Sequence, residues 1–210
     1  MRILIGLGVW ALLPLGAQAG EGPKSAAVYD TATRLFADMP QLVSVTRIEG
    51  NCGADDQVHD RMAYCTSTNS ILISADGQAS PVAGYEIAHL LGHAVQVRHG
   101  VADIALREIR TRPEEEAKLR GWVTRQVACI AGFLYKEAGG AEFEITDFYE
   151  TEPLTKSYWG RNPLSIGPRV SIGIEARQEW FDIGLEGDLA ACAPGEFGSE
   201  LLIDALIPTQ

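Results

Sequence analysis

His89 and His93 lie four residues apart in the stretch GYEIAHLLGHAVQ, residues 84–96. Around them Ile87, Leu90, Leu91, Ala94 and Val95 recur with helical spacing, so the two imidazoles project from neighbouring turns of one helix face. A helix offers two nitrogen ligands to a single zinc ion in this way. Zinc-dependent hydrolysis also needs a third protein ligand and a carboxylate to take the proton of the metal-bound water. The residue after His89, where a zinc peptidase carries that carboxylate, is Leu90. The pair is open to two readings, as zinc ligands or as hydrogen-bonded histidines of a buried cleft.

Two nearby side chains are candidates for the missing parts. Glu86 precedes His89 by three residues and shares its face, which makes it a candidate base or third ligand. Seven residues of helix rise about 10.5 Å, so a rigid helix does not bring Glu86 and His93 to the same ion. The plainer role for Glu86 is a solvated first-turn carboxylate, favoured by the helix dipole. His99 completes a three-histidine spacing in which a glycine normally turns the third ligand back toward the metal. Gln96 occupies the glycine position, and continued helix would aim His99 away, leaving it as a surface histidine near the helix C-terminus. His59, beside Asp55, Asp56 and Asp60, forms a separate, unspecific loop cluster.

The elements that must position these groups follow from periodicity and punctuation. The histidine helix is predicted over about Pro81–Arg98, with Gly100 as its stop. Before it the sequence predicts a helix over Ala26–Met39 closed by Pro40, a strand over Leu42–Glu49 and a loop over 51–60. Two strands, Met62–Cys65 and Ser70–Ser74, then flank the polar turn 66–69. After it come a helix over Pro113–Ala138 ended by Gly139 and Gly140, an irregular insertion over about 139–167, and a helix over about Pro168–Leu185. The expected class is α+β, helices packed on a small antiparallel sheet or hairpin.

The chain has 210 residues and is 46% hydrophobic, enough for one real core. Arg2, the apolar run Ile3–Leu15 and the small-residue site Ala17-Gln18-Ala19 read as a signal peptide over 1–19, leaving 20–210 as a single domain. That run is shorter than the roughly 20 residues of a spanning helix, so no stable membrane insertion is expected after cleavage. The expected location is secreted or periplasmic. In an oxidising compartment the 4 cysteines, Cys52, Cys65, Cys129 and Cys192, are candidates for two disulfides, with three connectivities open. A net charge of −11 argues against nucleic acid and anionic membrane surfaces as partners.

Several blocks together resemble the bacterial neutral zinc metallopeptidase family. Cys52-Gly53 followed by Tyr64-Cys65 is similar to its CG…FYC segment. AHLLGHAVQ, residues 88–96, is similar to AHExGHxxQ. RQVACIAG, residues 125–132, is similar to ExQADCxAG, with Gln126, Cys129 and Gly132 in register. RQEWFDIGLEGDLAAC, residues 177–192, resembles the closing segment with its Trp-Phe pair, glycines and final cysteine. The resemblance covers most of the chain after the leader, in the right order. It implies a minimal zincin-like domain of the gluzincin type, a Zn2+ cofactor held by His89 and His93, and pairing of Cys52 with Cys65 and of Cys129 with Cys192.

The departures carry the functional expectation. Leu90 stands in place of the catalytic Glu, Thr124 in place of the Glu that would be the third ligand, and Ala128 in place of the Asp before the cysteine. Loss of the base alone removes roughly 100- to 10,000-fold in rate, whereas apolar groups at Leu90 and Ala128 are cheaper to bury than charges. The resemblance therefore implies a metallopeptidase-like protein with impaired catalysis that binds a peptide or protein ligand. The alternative is an active zinc hydrolase with a displaced base and third ligand.

Overall fold

A computed structural model describes residues 24–52, 54, 60–155 and 170–208. The proposed leader, His59 with Asp55 and Asp56, and the later part of the 139–167 insertion lie outside the described residues. Among the described residues the fold is α+β, with seven α-helices and one three-stranded sheet. The helices are α1 Ser25–Leu35, α2 Ala75–Gln78, α3 Ala83–Arg98, α4 Val101–Thr111, α5 Glu116–Glu137, α6 Ile174–Leu185 and α7 Glu200–Asp204. The strands are β1 Gln41–Val45, β2 Met62–Cys65 and β3 Ser70–Ser74.

β2 and β3 form the antiparallel hairpin that the polar turn between them predicts, with Met62 opposite Ile73 and Cys65 opposite Ser70. β1 joins the other side of β3 in parallel, Gln41 opposite Ser70 and Val45 opposite Ser74. The sheet is thus mixed, order β1-β3-β2, rather than antiparallel as the sequence suggested. Direction is set by the connection, and β1 returns to the hairpin by a crossover instead of a tight turn. Asn69 closes the hairpin turn at φ 46°, a left-handed conformation that Asn tolerates better than most residues.

α3 is buried from Ala83 to Leu91 without a break and sits against β2, α1 and α5. Enclosure on nearly every side explains its weak amphipathicity. Two close approaches fix the stack beyond it. Gly92 faces the Val127 carbonyl of α5, where an added Cβ would come within 2.9 Å of the oxygen. Gly132 of α5 and Gly184 of α6 let those helices meet backbone to backbone; a Cβ on Gly184 would strike the Cys129 carbonyl and lie 2.7 Å from the Phe133 amide. The Cys129–Cys192 disulfide, Cα–Cα 5.5 Å, ties the chain after α6 to α5, and Cys52–Cys65, Cα–Cα 6.1 Å, ties the loop before β2 to that strand.

Several boundaries differ from the sequence reading: α1 ends at Leu35 rather than Met39, and β1 at Val45 rather than Glu49. α6 starts at Ile174, later than expected, because Gly173 at φ 86° sets the chain's direction just before it. Gly100 at φ 87° ends α3 and at once leads into α4, whose buried Val101, Ala105 and Ile109 repeat every four residues. No helix among the described residues is long and apolar enough to cross a membrane. Because the α5–α6 seam leaves no room at Gly184, Gly184→Ala is expected to destabilise the chain by roughly 1–3 kcal/mol, read as a lower urea midpoint. An unchanged midpoint would mean the seam opens freely.

Candidate functional site

A cavity of about 300 Å3 opens beside α3 and is lined by Glu86, His89, Leu90 and His93. α3 supplies these four because positions 86, 89, 90 and 93 fall on one face of a helix. The opposite wall comes from Asp60, Arg61 and Met62 at the start of β2, and from Tyr149 and residues 151–155. The described part of the irregular insertion thus has a role that the sequence did not reveal. Phe143 stacks on Tyr85 of α3 with ring centres 4.8 Å apart and on Phe148 at 5.0 Å, which fastens the insertion over the helix.

The strongest polar feature lies just behind this wall. Arg177 of α6 is fully buried and donates to Glu152 Oε1 from Nη2 at 2.9 Å and from Nε at 3.2 Å. Glu152 also accepts from the Gly173 amide at 2.9 Å, the Ile172 amide at 3.1 Å and the Ser171 hydroxyl. Burial pushes the Glu152 carboxyl up, but the Ser171 bond, the Arg177 charge and the two amides outweigh it and hold it below the usual carboxylate range. A carboxylate so fully engaged is a clamp, with no lone pair left for a metal or a substrate proton. Sequence reasoning missed the pair. A signal existed, since Ile174, Arg177, Phe181 and Gly184 share the face that α6 turns to the core, and a charge on such a face demands a partner.

The two imidazoles meet edge to face, ring centres 4.8 Å apart. Burial, the facing His93 and the Arg177 charge hold His89 well below its ordinary pKa. Burial and Arg177 lower His93 to about 4. Both rings are therefore neutral at pH 7, a form that can ligate a metal. Glu86 is 8% exposed and accepts from Arg61 Nη2 at 2.6 Å and from the Tyr149 hydroxyl at 3.3 Å. Burial raises its pKa although the Arg61 charge and the hydrogen bonds from Arg61 and Tyr149 oppose the shift.

The other sequence candidates lie elsewhere. His99 caps α3 and leans on Phe36, ring centres 6.0 Å apart, outside the cavity lining. Thr124 donates its hydroxyl to the Arg120 carbonyl of its own helix at 2.9 Å and does not line the cavity. Cys52, Cys65, Cys129 and Cys192 are all in disulfides. Among the described residues no group of three His, Cys, Asp or Glu side chains could hold a metal ion.

These residues do not fit a zinc centre. Two neutral imidazoles are present, both oxygens of Glu152 are taken, Glu86 is held through one oxygen by Arg61 and Tyr149, and a buried guanidinium already acts on both rings. Among the described residues a doubly charged ion there would lack a third ligand of the usual kind. No family model, curated protein or solved structure matches the chain. The site is therefore read on its own geometry.

Removing one partner of the buried pair leaves an uncompensated charge, so Glu152→Ala is expected to cost roughly 3–5 kcal/mol. The double variant Glu152→Leu/Arg177→Met should be more stable than Glu152→Ala, as urea titrations of both would show; the reverse order would refute the pairing. The histidines give a signed pH dependence. Their folded pKa values lie below the unfolded value of about 6.5, so stability is full above that pH and falls as acid approaches the folded values. The Tm of His93→Gln should fall less between neutral pH and pH about 4.5 than that of the parent, by roughly 2–4 °C for each kcal/mol recovered.

Proposed function

We propose that the chain is an exported binding module on a metallopeptidase-like scaffold, without the machinery for zinc-dependent hydrolysis. The observation that carries this reading is Leu90, which lies with His89 and His93 on the cavity wall where a hydrolase needs a carboxylate, and belongs to the main apolar core. A leucine neither takes nor gives a proton, and a core leucine does not swing aside for a metal-bound water. The two disulfides accord with export to an oxidising compartment. The ligand suited to such a cavity, open between the start of β2 and the 151–155 loop, is a peptide or protein segment that inserts one side chain.

One observation favours a second reading. Glu86 is a carboxylate in the same cavity with a raised pKa, and perturbed acids in clefts are candidates for proton transfer. In that reading Glu86 is the base of a zinc hydrolase whose third ligand is displaced. Zinc content separates the two. Mature protein secreted in an oxidising compartment, saturated with zinc and desalted, is expected to carry far less than one zinc per chain by elemental mass spectrometry. It should also cleave fluorogenic peptides no faster than its Glu86→Gln variant. Near one zinc per chain, lost in His89→Ala/His93→Ala, would overturn the binding reading in favour of the hydrolase.

A further inference from the structure

α6 turns Arg177, Phe181 and Gly184 inward and leaves Glu175, Glu179 and Asp182 exposed, with Glu186 at its end. Beside this outer face runs a groove of about 640 Å3, whose other wall is Glu144 and Thr146 and whose apolar side chains are the half-buried Ile174 and Ile183. The groove is built in advance. Gln178 donates from Nε2 to the Phe143 carbonyl at 2.9 Å and accepts the Ile145 amide on Oε1 at 2.7 Å, so one side chain fixes the spacing of the two walls.

The charges of this groove are unanswered. The carboxylates of Glu144, Glu175, Glu179 and Glu186 have no hydrogen bond or ion pair among the described residues, and Asp182 takes only the Gln178 amide at 2.7 Å. Among the described residues no Lys or Arg lines the groove. The acids of α6 fall at i, i+4, i+7 and i+11, a single row in which neighbours repel. Asp182 and Glu186 also sit at the negative end of the helix dipole, where the last turn carries no basic residue. Elsewhere the chain answers its helix acids: Glu108 meets Arg112, Glu115 meets Lys118 and Glu116 meets Arg120. A row that works against its own helix and has no internal partner is the kind of local conflict that a binding surface sustains.

The occupant follows from sign, spacing and shape. A positive partner removes the repulsion and a negative one deepens it, which argues against nucleic acid and against a second copy of this acidic chain. The row is strung along about 16.5 Å of helix instead of converging on a point, and among the described residues no three such groups could hold a metal ion. Its repeat of three and four residues matches a second helix that carries Lys or Arg at the same spacing, with an apolar side chain set against Ile174 and Ile183. We infer that this face of α6 docks a basic amphipathic helix of a partner protein, independently of the histidine cavity.

The test is fluorescence anisotropy of the exported, disulfide-bonded chain at neutral pH and about 0.15 M salt. The probe is a synthetic helical peptide with Lys at i, i+4, i+7 and i+11 and Leu on the adjoining face, beside a scrambled peptide of the same composition. The matched peptide is expected to bind at least roughly tenfold tighter than the scrambled one, and Glu175→Gln/Glu179→Gln/Glu186→Gln should weaken it by roughly tenfold. That variant should keep or raise the urea midpoint of the parent, because the repulsion in the row is relieved. Asp30→Asn/Asp103→Asn/Glu114→Gln, the same change of charge at exposed sites on other elements, should leave binding within about twofold. No binding of the matched peptide, equal binding of the scrambled one, or an equal loss in both triple variants would overturn the inference. So would calcium held by the parent and not by the groove variant, or self-association of the parent that the groove variant abolishes. The comparison of the two peptides uses the unaltered chain, so it stands whatever the variants do.

Discussion

A fully buried guanidinium governs the functional half of this molecule. Arg177 is carried into the core because its helix turns the face of Ile174, Phe181 and Gly184 inward, and a buried charge is tolerable only when paired and hydrogen-bonded. That requirement recruits Glu152, and Glu152 in turn collects the amides of Ile172 and Gly173 at the entry to α6. One ion pair thus fixes the 151–155 loop as a cavity wall, the start of α6, and the field felt by the two histidines. The same environment pushes the Tyr85 hydroxyl up to about 12, burial outweighing the stabilising charge of Arg177.

The other half is a scaffold held by close backbone contacts and a buried amide network. Gln96 of α3 donates to Gln126 of α5 at 3.0 Å, and Gln126 donates to the Cys192 carbonyl at 2.9 Å and the Gly198 carbonyl at 3.1 Å. Two glutamines so join α3, α5 and the chain beyond α6. Together with Gly92, Gly132, Gly184 and the Cys129–Cys192 bond they belong, beside the two histidines, to the blocks that resemble zinc metallopeptidases. Each has packing or hydrogen bonding as its task in this chain. A likeness carried by such residues speaks for architecture and is silent about chemistry, which resides in the site.

This division also explains what could be read from the sequence. The hairpin strands fell at Met62–Cys65 and Ser70–Ser74 because short β-rich runs flank a polar turn, and the histidine helix fell within two residues of its start because apolar spacing and Gly100 bound it. The disulfide pairing matched what the resemblance implied. The parallel course of β1 was hidden, since residue pattern records which positions are apolar and carries no record of strand direction. α4 was legible in the spacing of Val101, Ala105 and Ile109, yet Gly100 read as a stop obscured it. The Glu152–Arg177 clamp and the Arg61–Glu86 pair join residues 25 apart in both cases. A charge on the core face of α6 announces that Arg177 has a partner, but no local pattern says which residue it is, so the wall facing the histidines stayed invisible.

Among the described residues the cavity offers a zinc ion little of what its chemistry asks for. A structural or catalytic zinc needs three or four directional donors and enough negative charge to offset a double positive one. His89 and His93 supply two neutral donors, Glu152 is given over to Arg177 and the amides before α6, and Glu86 is drawn to Arg61 and Tyr149 through one oxygen. Leu90 sharpens the mismatch, since it puts an apolar side chain on the cavity wall where a metal-bound water would need a base.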